Sequence, residues 1–380
     1  AMAAPLEWLG RPQPSQALSC ALGGLTLSNA LFVASAASLF RLAQRLGLSD
    51  AVALRACLLY ALNPATVFYS AIYTESLYTF LHFEALVHLL GDETTTSAPG
   101  TVLSTLLLAA ATFTRSNGIL SCAIVLAVRL RGCARGCIRG KVSGSGGRAA
   151  LSFLVGGSQL KLFARQGLLA VAQCFFVLAP FYFYQVAFQL SWCQSYRSAL
   201  ESQQVAADGA AMEAKLDAMG AGWCTGSPFV PKVYSSVQSS YWNVGLFKFY
   251  ELSQVPNFLL ALPIWLCTAF LVHRFCATLF PNARSKRAWS AHLVRLLDDS
   301  GLFGQLVLCL HWALMCAISI LVINVQVSTR FLSTCAPLYL FTAQLTTQTD
   351  TAAHLKWILR FFLTYAALGC ILFPNFYPWV

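Results

Sequence analysis

Three ionisable side chains stand where an apolar chain tolerates them least. Glu75 lies in Tyr73-Thr74-Glu75-Ser76, Arg115 in Thr114-Arg115-Ser116-Asn117-Gly118, and Arg330 closes Asn324-Val325-Gln326-Val327-Ser328-Thr329-Arg330. Ions at membrane depth are costly, so each marks either function or a packed pair. A guanidinium grips phosphate through two parallel hydrogen bonds, and two arginines at one mouth suit an anion. Arg115 could equally be an interfacial anchor or a partner for Glu75. Glu75 reads either as a working carboxylate or as one placed at a helix N-terminus, where the macrodipole favours it.

A second segment mixes groups that could hold a sugar. Tyr241-Trp242-Asn243-Val244-Gly245-Leu246-Phe247-Lys248-Phe249-Tyr250-Glu251-Leu252 precedes Pro256. Amide and charged groups can bond hydroxyls while rings stack on C–H faces, although a plain aromatic belt at a membrane interface has the same composition. Glu84 shares a helix face with His88 at i, i+4 and has His82 nearby, which is not the arrangement of a zinc-protease helix and fits a buried pair or a neutral carboxyl better than a metal site. Cys133 and Cys137 lack a second pair of ligands at zinc spacing, so no metal site is expected there. Phosphate-binding glycine loops and dinucleotide fingerprints are absent from the sequence.

The elements that must position these residues are apolar. The 380 residues are 57% hydrophobic and 10% charged, with mean hydropathy +0.63, which excludes an ordinary soluble domain with its roughly 25% charged residues. Residues 17–40 carry no charge and make about 36 Å of helix, enough to cross a bilayer core. Further apolar segments fall at about 51–72, 75–90, 101–114, 117–128, 166–190, 256–273, 302–323, 331–345 and 357–373, which predicts an all-α polytopic membrane protein of about ten apolar segments. The pieces between 75 and 128 are too short to span singly without tilt or re-entry and read as a cavity wall.

Sixteen Lys and Arg fall on one alternating set of loops and six on the other, so the first set is expected to be cytoplasmic. A lead of 1–16 then precedes one multi-span domain, 17–380, with a flexible basic cytoplasmic loop at 129–165 and a large lumenal loop at 191–255. Cys193 and Cys224 in that lumenal loop could close a disulfide around Glu201–Ala218. The basic residues sit between apolar spans without interleaved surface aromatics, which points to lipid and not to nucleic acid.

Tyr241-Trp242-Asn243-Val244-Gly245, with Lys248-Phe249-Tyr250-Glu251-Leu252 and Gln254-Val255-Pro256-Asn257-Phe258, closely resembles the PIG-V family of mannosyltransferases. So do Asn63-Pro64-Ala65-Thr66-Val67-Phe68, Arg115-Ser116-Asn117-Gly118, Val325-Gln326-Val327 with Thr329-Arg330-Phe331-Leu332, and the tail from Phe362 to Trp379, in the family's order. The resemblance implies an endoplasmic reticulum membrane enzyme of GT-C architecture. It would add the second mannose, in α1,6 linkage, from dolichyl-phosphate-mannose to a glycosylphosphatidylinositol (GPI) precursor, with no cofactor beyond the lipid-linked donor and no metal.

Arg115, Asn117, Tyr241, Trp242, Asn243, Lys248, Gln326 and Arg330 are the implied substrate-binding residues. The family pattern starts with an earlier span and a lumenal Trp-Asp loop that supplies a base, whereas this sequence opens at Ala1-Met2-Ala3, so a truncated chain is expected. Glu75 and Glu251 are the remaining candidates for that base. A non-catalytic subunit, or a lipid or solute transporter with broken helices, are the rival classes.

Overall fold

The computed structural model describes residues 14–90, 98–143, 157–202, 222–225, 229–280 and 294–375, and among these there is helix and turn but no strand. The lead through residue 13, the 144–156 part of the basic loop, residues 203–221 of the large loop and the last five residues lie outside the described residues.

In chain order the first half contains α1 (Pro14–Arg45), α2 (Asp50–Ala61), α3 (Thr66–Ser70), α4 (Glu75–Leu89), α5 (Ala98–Thr114), α6 (Cys122–Ser143) and α7 (Gly157–Ser202). The second half contains α8 (Val233–Trp242), α9 (Val255–Leu279), α10 (Ser300–Leu321), α11 (Ser328–Leu332), α12 (Ala336–Leu345) and α13 (Ala352–Leu372). Among the described residues, six stretches are long and apolar enough to cross a membrane, and they belong to α1, α6, α7, α9, α10 and α13.

Several boundaries differ from the sequence expectation. The 51–72 segment is two helices, because Pro64 offers no N–H and pushes Asn63 out of helical backbone. Asn63 satisfies the broken ends itself, donating to Tyr60 O at 2.9 Å and accepting from Ala65 N at 2.9 Å. The basic stretch after residue 129 is not a flexible loop at first: α6 continues to Ser143, since Arg, Ala and Lys are good helix formers once the chain leaves lipid. Likewise α7 runs past residue 191 to Ser202. Cys193 on it is disulfide-bonded to Cys224, and Tyr182 Oη donates to Phe229 O at 2.9 Å, so the loop returns along the helix that launches it.

Short helices occupy the interior. α12 buries nine of its ten residues and α4 ten of fifteen, as expected of helices apolar on every face. α4 packs between α1 and α5, and α2 between α1 and α12. The long helices α1 and α7 take the outside, with Leu18, Leu22, Val33, Leu168 and Val171 exposed, whereas α10 buries half of its residues.

Arg41 on α1 grips Glu84 on α4 with both oxygens, at 3.1 and 2.6 Å, joined by Ser38 Oγ at 2.7 Å and His88 Nε2 at 3.3 Å. Twelve residues towards the N-terminus, about 18 Å along α1, Asn29 Nδ2 donates to Ser70 O at 3.0 Å. Between α2 and α4 the backbone is irregular on both sides of the short α3, and protein satisfies it, as where Ser76 Oγ donates to Tyr69 O at 2.6 Å.

The start of α10 lies directly on the end of α1. A Cβ on Gly301 would stand 2.6 Å from Leu46 O, whereas one on Gly23 meets nothing within 4 Å. Gly301→Ala should therefore cost about 1–3 kcal/mol, seen as a lower thermal midpoint in detergent, while Gly23→Ala leaves the midpoint unchanged or higher.

Candidate functional site

Three separate elements bring charge to one point. α4 begins at Glu75, whose side chain is fully buried. α5 ends at Thr114, and Arg115 follows in extended backbone before a 3-10 turn over Ser116–Ser121. That turn folds back on α5 so closely that a Cβ on Gly118 would lie 2.6 Å from Thr112 Cα, which is why glycine stands there. Asn324 accepts from Gln326 N at 2.9 Å, shaping the 3-10 turn Val325–Val327 that feeds Arg330 into α11.

Glu75 Oε1 pairs with Arg115 Nη1 and lies 3.1 Å from Arg330 Nε, the latter an ion pair without the alignment of a hydrogen bond. Arg115 Nη1 also approaches Thr74 Oγ1 at 3.4 Å. The Arg330 guanidinium sits over the Phe68 ring at 4.9 Å and the Tyr73 ring at 5.9 Å, so aromatic faces cover its far side. One carboxylate against two guanidinium groups leaves this cluster with one formal positive charge.

The arginines border an open cavity of about 310 Å³. Ser116, Asn117 and Asn324 line it beside them, and Tyr234, Gln238 and Trp242 close it from α8. Tyr234 Oη and Ser116 Oγ are hydrogen-bonded at 2.7 Å, which latches α8 to the arginine turn. Asn117 borders the cavity, while its Nδ2 is buried with no partner among the described residues. The arrangement can hold an anion against two cations and a polyhydroxylated ring against aromatic faces.

Of the residues singled out in the sequence, Arg115, Asn117, Trp242 and Arg330 meet at this cavity, with Glu75 behind the arginines. The others do not line it. Tyr241 is 63% exposed on another face of α8. Asn243 takes left-handed backbone at φ 51° to end α8, and its Nδ2 donates to Lys248 O at 3.0 Å and Glu251 Oε1 at 3.4 Å. Lys248 folds its stem over Gly245, and Gln326 contributes its backbone N–H to the Asn324 turn. This segment docks on the end of α10 through Gly245 N to Val322 O at 2.9 Å and Phe247 N to Leu321 O at 2.8 Å. Tyr234 and Gln238 were overlooked; their spacing with Trp242 at i, i+4, i+8 is the signal that one helix face carries them.

A family model described as Mannosyltransferase (PIG-V) matches residues 16–380. GPI mannosyltransferase 2 of Drosophila pseudoobscura pseudoobscura is 28% identical, over 98% of this chain and 77% of its own length. GPI alpha-1,6-mannosyltransferase 2 of Mus musculus is 29% identical over 95% of this chain and 77% of its own, and that of Homo sapiens 29% over 85% and 69%. No solved structure matches the chain.

Gly118→Ala should drive the turn off Thr112 and carry Arg115 and Asn117 with it. The expected result is a stability loss of about 1–3 kcal/mol together with a larger drop in catalytic rate than Gly301→Ala produces, measured on detergent-purified protein.

Proposed function

The chain belongs to the PIG-V mannosyltransferase family, and on that premise we propose that it moves mannose from dolichyl-phosphate-mannose to a GPI precursor in α1,6 linkage, at the lumenal face of the endoplasmic reticulum membrane. The observation that carries this reading is the convergence of Arg115 and Arg330, far apart in sequence, on one cavity. Lipid-linked donor and acceptor both arrive laterally, and the cavity framed by the turn after α5, by α8 and by the turn into α11 is where their headgroups can meet.

A β-linked donor giving an α product inverts the anomeric carbon, which a single displacement accomplishes. The acceptor oxygen attacks C1, the C1–oxygen bond to phosphate breaks with its electron pair leaving on the phosphate, and the hydroxyl proton passes to a base. Charge grows on the phosphate as that bond breaks, and cations already fixed beside the cavity stabilise it without reorganising. Trp242 and Tyr234 offer faces for the sugar.

Purified protein in lipid, given dolichyl-phosphate-[³H]mannose and a singly mannosylated GPI precursor, should form a labelled glycolipid whose mannose an α1,6-specific mannosidase releases. Movement of donor across the bilayer with no labelled glycolipid would favour a transporter and end this reading. In the same assay Arg115→Ala should lower transfer about 100-fold, while Arg45→Ala, exposed at the opposite end of α1, leaves it unchanged.

A further inference from the structure

We infer that Glu75 is a positioning residue, which holds Arg115 and Arg330 at the spacing that grips the donor phosphate, and that it is not the base that receives the acceptor's proton. The inference rests on the transfer reading above and adds a role within it. Glu75 is completely buried, and the arginines, not the carboxylate, border the cavity. A general base needs to come within hydrogen-bond reach of the hydroxyl it deprotonates. Glu75 Oε1 is instead committed to both guanidinium groups, and Oε2 is sealed away with no partner among the described residues.

The same contacts define what the carboxylate does. Arg115 reaches Glu75 through Nη1 and Arg330 through Nε, which leaves Arg115 its Nη2 and Arg330 both its Nη groups without a hydrogen bond among the described residues. Two guanidinium groups in a poorly hydrated site repel each other unless an anion sits between them. Glu75 is that anion before substrate arrives, and the remaining positive charge is left for the phosphate. Phe68 and Tyr73 hold Arg330 from behind, so the carboxylate sets its direction.

The test compares wild type, Glu75→Gln and Glu75→Asp for binding of dolichyl phosphate, the carrier without its sugar, and for mannose transfer against donor concentration and pH. Glu75→Gln should weaken dolichyl phosphate binding and raise the donor KM by about tenfold or more, with kcat at saturating donor within about threefold of wild type. Glu75→Asp should recover most of the binding, and its pH profile at saturating donor should overlay the wild-type curve. A kcat loss of about 100-fold in Glu75→Gln with binding and KM unchanged, or loss of the acid limb of the pH profile in either variant, would overturn the assignment. Unaltered binding and kinetics in Glu75→Gln would overturn it as well. Should Glu75→Gln fail to fold, the pH profile and KM of Glu75→Asp decide by the same criteria. Wild-type protein that binds dolichyl phosphate but transfers no mannose would end the transfer reading, and the binding comparison would still judge the clamp.

Discussion

A carboxylate removed from water keeps its charge only if cations answer it, and Glu75 is answered from two sides by Arg115 and Arg330. Those three residues come from the start of α4, the turn after α5 and the short helix α11. Pairing them fixes where three otherwise independent chain breaks lie relative to one another. The excess guanidinium charge faces the cavity, so the interaction that holds the breaks together also defines what the cavity attracts. Removing Glu75 would leave two neighbouring guanidinium groups uncompensated, which is why the site behaves as a unit.

Depth follows from helix length. α2, α4 and α12 are too short to reach both edges of a bilayer core, and they survive because longer helices surround them. Where they stop, the backbone is irregular and its polar groups find protein partners: Asn63 bonds both sides of its own break, and Ser76 reaches Tyr69 O. The far end of α4 is pinned independently by Arg41 on Glu84. One helix therefore carries two paired carboxylates with separate duties, the partly exposed Glu84 locking α4 to α1 and the buried Glu75 organising the cavity.

Glu75, Arg115 and Arg330 were legible in the letters because a charge is conspicuous within apolar sequence and few explanations exist for it. The aromatic and amide segment after residue 240 was legible as interfacial but not residue by residue. Composition cannot say which face of a helix meets a cavity, so Trp242 was separable from Tyr241 only once α8 had docked. Asn243 and Lys248 proved to shape a turn, since a left-handed helix end and a carbonyl needing a donor use the same amide that a sugar would. Gln238 and Tyr234 escaped notice because an uncharged polar helix in a loop has no energetic penalty to betray its purpose.

What the sequence determined unaided was the solvent. Uncharged runs of helix length can be stable only in lipid or protein, so an all-α membrane architecture follows from hydropathy. Family membership likewise resided in the order of short motifs. Which apolar helices are exposed and which lie inside, and that Arg115 pairs with Glu75, only the tertiary structure decided. Hydrocarbon and a protein interior demand the same apolar letters, and a guanidinium's partner is set by distances that arise only when segments hundreds of residues apart are packed side by side.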